Sequence, residues 1–167
     1  MFVKFIRSKH KIGNFPIDIT NRRILSYLQK QGNISMAELS ERIGLSLSAC
    51  HRRVKLLEAK GVISHYAAHL NRRALGLELQ VFIEVTLTSQ RKEAHTAFEE
   101  SIENMPEVLE VHLITGEFDY LMRVAARSTA DYEILLRNKL SNIPSITQMR
   151  TLLSISTVKE FDGYYLE

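Results

Sequence analysis

Residues 36–63, MAELSERIGLSLSACHRRVKLLEAKGVI, constrain the fold more than any other stretch of the chain. Leu39 and Ile43 are four apart and share one face of a short helix. Gly44 follows at once and supplies the backbone freedom of a tight turn. Ser46 stands where a second helix needs its cap. Within that helix Cys50, Val54 and Leu57 recur at i, i+4 and i+7 and form one buried stripe. Ser48, His51, Arg52 and Lys55 point elsewhere and make a polar, basic face; Gly61 ends the helix after Lys60. Two short helices around a glycine turn make the helix-turn-helix arrangement, whose second helix enters the DNA major groove. A three-helix cluster with a merely solvated charged face has the same pattern, so the rest of the chain has to decide.

Charge is the first discriminator. The net charge of +3 over 167 residues hides a split. Residues 1–78 carry 14 Lys and Arg against 5 Asp and Glu, whereas residues 79–167 carry 8 against 14. The half with the basic helix is therefore the half that attracts phosphates. The acidic half is unsuited to DNA. No apolar run approaches the roughly 18 residues of a membrane span, and the first residues, MFVKFIRSKHKIGNF, lack the apolar core of a secretory signal. The single cysteine lies on the buried stripe, which suits a packing role in a reducing cytoplasm.

The pattern along the chain divides it into a basic tail (1–14), a helix-turn-helix domain (15–70), a hinge (71–78) and a second domain (79–167). The tail holds Lys4, Arg7, Lys9, His10 and Lys11 without an acid, and reads either as a mobile segment or as an arm along the DNA backbone. A first helix is expected from about Ile19 to Lys30, with Ile24, Leu25 and Leu28 inward. After Gly61, Val62–Leu70 reads as a strand without a local partner.

From Leu79 the period is two: Leu79, Val81, Ile83, Val85 and Leu87 alternate with Gln80, Phe82, Glu84 and Thr86. Helices are expected over Lys92–Asn104 and Thr129–Asn142, and strands over Val108–Thr115, Tyr120–Ala126 and Ile146–Ser156. Asn-Met-Pro at 104–106 and Asn-Ile-Pro at 142–144 close the two helices, with each Asn suited to a left-handed cap. The order β-α-β-β-α-β gives a ferredoxin-like sandwich, so the fold class is α+β: a winged-type helix-turn-helix domain followed by a ferredoxin-like domain. Two helices cover one face of the sheet. The other would show Phe82, Ile114, Leu121 and Leu152, a surface that calls for a partner chain.

In sequence order these motifs resemble those of the Lrp/AsnC, or feast/famine, family of regulators. Ile17-Asp18 with Asn21 and Ile24-Leu25 is similar to the family's opening helix, with Asn21 where the usual residue is Asp. Glu38-Leu39 with Ile43-Gly44-Leu45-Ser46 resembles its turn, and Arg53-Val54 with Leu57-Glu58 and Gly61-Val62-Ile63 its reading helix and exit. Gly116-Glu117-Phe118-Asp119-Tyr120 resembles the Gly-x-Tyr-Asp turn of its amino-acid-binding domain, with Phe118 for the commoner Tyr. The resemblance spans about residues 17–159. It implies a prokaryotic transcription regulator that binds double-stranded DNA, a homodimer assembled as an octamer, and a small effector, usually an amino acid, held between α/β domains.

The expected DNA contacts are Ser46, Ser48, Ala49, His51, Arg52, Arg53 and Lys55. Side chains and N–H groups at the helix start suit phosphate; Arg52 has the fork for guanine; Lys55 suits phosphate. The expected effector residues are Thr115, Gly116, Glu117, Phe118, Asp119 and Thr151, with Asp119 either facing an amino group or bracing the turn. The plain alternative for that segment is a hairpin turn. No cofactor beyond an amino-acid effector is expected, and no metal: His65 and His69 on a strand would stand about 13 Å apart, too far to share one ion.

Two other readings use the same fold pair. A sirohaem-decarboxylase-like enzyme would draw on His65, His69, Arg72 and Arg73. A sensor of amino acids that does not bind DNA would have little use for the basic front half.

Overall fold

A computed structural model describes residue 15 and residues 17–166. The expected basic tail lies outside the described residues. The chain divides into two compact units, residues 15–69 with 159–166, and residues 70–158.

The first unit is built on α1 (Ile19–Lys30), α2 (Met36–Ile43) and α3 (Leu47–Ala59). Each helix starts on a side chain that accepts a hydrogen bond from a free backbone N–H: Asp18 from Asn21, Ser35 from Glu38 and Ser46 from Ala49. Gly44 ends α2 at φ +78°, a conformation that a side chain would strain. Its N–H donates to the carbonyls of Ser40 and Glu41, which turns the chain sharply into α3. Ile24, Leu28, Ile34, Leu39, Ile43, Cys50, Val54 and Leu57 close the core.

Residues 62–70 form no strand. A strand needs a neighbour to take its N–H and C=O groups, and among the described residues the strand ladders involve only β1 to β4 of the second unit. Residues 159–166 group with the three helices rather than with the sheet. There the Gln29 side chain donates to the Tyr164 carbonyl at 2.7 Å and accepts from the Tyr164 N–H at 2.9 Å. Gly163, at φ +100°, lies so close that a Cβ would come within 2.6 Å of the Gln29 amide.

The second unit is a four-stranded antiparallel sheet in the order β2-β3-β1-β4, with β1 at Leu79–Leu87, β2 at Val108–Leu113, β3 at Tyr120–Ala126 and β4 at Ile146–Leu153. Helices α4 (Lys92–Ile102) and α5 (Thr129–Asn138) cover one face. Val81, Ile83, Val85 and Leu87 pack there with Tyr120, Met122, Val124, Phe98, Ile102 and Leu135. Fully burying apolar side chains of this size contributes about 1.5–3 kcal/mol each.

Neither Asn104 nor Asn142 is left-handed, since among the described residues only glycines have positive φ. α5 stops at Asn138, and a 3₁₀ turn over Leu140–Asn142 carries Leu140 into the core. Asn142 caps with its side chain instead, donating from Nδ2 to the Asn138 carbonyl at 2.8 Å.

Two registered rows cross the open face, His112–Leu121–Glu84–Arg150 and Glu110–Arg123–Phe82–Leu152. Glu110 pairs with Arg123 at 2.6 Å, and Glu84 with Arg150 at 3.5 Å. Phe82, Ile114 and Leu121 are half-buried and Leu152 is exposed. The face is thus a mosaic of apolar side chains and ion pairs, less uniformly apolar than alternation alone implies.

Candidate DNA-reading helix and effector turn

The cap and the turn fix how α3 presents its side chains. Cys50, Val54 and Leu57 face the core, which leaves Ser48, His51, Arg52, Lys55, Leu56 and Ala59 exposed around the rest of the helix and Leu47 exposed at its start. Ser46 both caps the helix and lies 3.3 Å from the Ser48 hydroxyl, so two hydroxyls and the first-turn N–H groups gather at one end. Ala49, half-buried, contributes the capped N–H rather than a side chain. His51 and Arg52 project to solvent, and Lys55 is 2.8 Å from Glu58. Glu58 holds Lys55 toward the end of the helix, and the hydrogen bond from Lys55 lowers the pKa of Glu58 below its ordinary value.

Arg53 is turned away from this exposed surface. It donates to Asp18 at 2.7 Å and to the Asn21 side-chain oxygen at 3.0 Å, tying α3 to the start of α1. The Arg53 hydrogen bond, then that from the Asn21 N–H, hold the Asp18 carboxyl below its ordinary pKa. Asn21, buried beneath the pair, keeps an acceptor where the family's usual residue is Asp.

In the second unit the turn between β2 and β3 is anchored by Asp119. Its backbone N–H donates to the Val85 carbonyl, and its carbonyl accepts from Ile114. Its carboxylate accepts from the Leu87 N–H and from Gln90 Nε2, each at 2.7 Å. Asp119 therefore braces the turn. Thr115, Gly116 and Glu117 stay exposed above it and Phe118 is half-buried. Gly116, at φ +148°, has open space where a Cβ would be. Thr151 is not brought to this turn: it lies opposite Ile83 on β4 and hydrogen-bonds to Tyr132 of α5 at 2.7 Å. Gln90 is not legible in the sequence as part of this turn, since nothing periodic marks a partner 29 residues from Asp119.

Helix-turn-helix and sheet domain together define a class, the DNA-binding transcription regulators with a separate ligand-binding domain. Residues 17–64 match the family model for winged helix-turn-helix DNA-binding, and residues 80–164 match that for the Lrp/AsnC ligand binding domain. A leucine-responsive regulatory protein of Haemophilus influenzae is 36% identical over 157 residues, which are 94% of this chain and 95% of that protein. The chain belongs to the Lrp/AsnC family and is a DNA-binding transcription regulator. Among solved structures, a transcriptional regulator of Neisseria meningitidis in complex with L-Met superposes with a TM-score of 0.83 at 33% identity, over 87% of this chain and 94% of that one. A feast or famine regulatory protein of M. tuberculosis complexed with L-methionine gives 0.81 at 27% identity, over 91% and 100%.

Proposed function

We propose that the exposed stripe of α3 is the surface that reads DNA, with Arg52 on a base edge and Ser46, Ser48, His51 and Lys55 on or near phosphate. The observation that carries this is the polar, basic stripe on a capped helix braced from behind by Arg53. Arg53 has a bracing role in this reading and leaves the contact set.

The effector is an L-amino acid held by the backbone of the turn at 115–118, with Asp119 setting the shape of the turn. Methionine is the first candidate, because two structural relatives carry it. The open sheet face is the dimer surface, on which the Glu110–Arg123 and Glu84–Arg150 pairs set the register of a second copy. Dimers assemble further to an octamer, and the protein works in the cytoplasm. Ligand binding that favours one assembly shifts the population able to hold DNA.

The test is fluorescence anisotropy on DNA from upstream of the protein's own gene, against a scrambled duplex, over a salt series with and without L-methionine. Preference for the native fragment, a steep fall with salt and a shift on adding methionine are expected. Equal binding to both duplexes would remove sequence reading, and no shift would remove methionine.

A further inference from the structure

Leu47 is the first residue of α3 and is 54% exposed, while Cys50, Val54 and Leu57 of the same helix are at most 3% exposed. Exposed leucines are common and singly mean nothing. This one differs in its position. It stands between Ser46 and Ser48, at the edge of the stripe that Cys50 and Val54 continue inward, and His51 and Lys55 follow it at i+4 and i+8 in a row that leads away from the core. Helical side chains lean toward the N-terminus, so Leu47 overhangs the entry to α3. That is the part of a reading helix that meets base edges. Leu56, also exposed, lies two turns further along and outside that zone.

We propose that Leu47 reads the 5-methyl group of a thymine. The major groove presents a single methyl group, on thymine, and an apolar side chain is its complement. The contact removes Leu47 and the methyl from water together, and it distinguishes T·A from the other base pairs where a polar residue would not. This rests on α3 being the helix that enters the groove.

The experiment uses the full chain and a duplex enriched by it from a random-sequence pool. Each thymine is replaced in turn by deoxyuridine, which lacks only the methyl, and affinity is read by anisotropy for the wild type, Leu47→Ala, Leu47→Met and Arg52→Ala. The wild type should lose about fourfold at one thymine per half-site, the worth of one buried methyl. Leu47→Ala should bind thymine and deoxyuridine duplexes equally, and Leu47→Met, still apolar, should keep the discrimination. Absence of any sensitive thymine, or discrimination that survives in Leu47→Ala, overturns the proposal. Arg52→Ala separates the two ways of failing. If it weakens binding, α3 still reads DNA and only the assignment to Leu47 falls; if it does not, the reading of α3 falls with it.

Discussion

Arg53 of α3 and Asp18, the cap of α1, meet at 2.7 Å across 35 residues of sequence. One carboxylate thus starts α1 and holds α3, because Asp18 also accepts from the Asn21 N–H at 2.7 Å. The two adjacent arginines consequently divide their work, one inward and one outward.

Exchanging each arginine should separate these roles. Arg52→Ala is expected to weaken specific DNA binding by about 1–3 kcal/mol while leaving the unfolding midpoint unchanged. Arg53→Met is expected to lower the midpoint and to keep the sequence preference of whatever protein remains folded. Paired thermal melts and anisotropy titrations check this; a base preference lost in Arg53→Met at unchanged stability would reverse the assignment.

Acid should loosen the same brace. Asp18 is depressed in the folded state, so its contribution is present above the ordinary value of 3.8 and is lost as pH falls through the lower folded value. In Asp18→Asn this component of the acid dependence should vanish. Midpoints measured between pH 6 and the acid limit for both proteins give the comparison, and parallel curves would show that Asp18 contributes none of it.

Asp119→Ala should destabilise the sheet unit by about 1–3 kcal/mol, the cost of leaving a donor such as the Leu87 N–H unsatisfied. It should also abolish stabilisation by L-methionine, because the turn loses its shape. Gln90→Ala removes one donor and keeps the Leu87 bond, so its effect should be smaller. Denaturant unfolding with and without the amino acid resolves both. Full stabilisation by L-methionine in Asp119→Ala would place the ligand elsewhere.

Leu121→Arg sets a charge in the centre of the open face, between His112 and Glu84. Light scattering should show a smaller mass than that of the proposed wild-type assembly, with helix content unchanged. An assembly of undiminished mass would exclude this face as the interface.

Much of this organisation is legible from local chemistry. Asp18, Ser46 and Gly44 announce helix ends because capping is a matter of three or four neighbouring residues, and the alternation from Leu79 to Leu87 announces a one-sided strand. The inward turn of Arg53 is not legible in this way, since its partner is remote and either side of α3 accepts an arginine. VISHYAAHL carries strand-forming residues at 62–70, yet propensity cannot supply the neighbour a strand requires. In the turn between β2 and β3 the residue types are legible, but the bracing role of Asp119 depends on Leu87 and Gln90.

Gln29 and Tyr164 are 135 residues apart, the longest reach among the hydrogen bonds described above. Because a segment without regular secondary structure, beginning at Lys159, completes a unit that otherwise ends at His69, order of synthesis matters. At about 5–20 residues per second, the three helices leave the ribosome seconds before the segment that docks on α1. Over that interval the surface around Gln29 is open, and nascent chains stalled before Lys159 would carry the helices with that surface still uncovered.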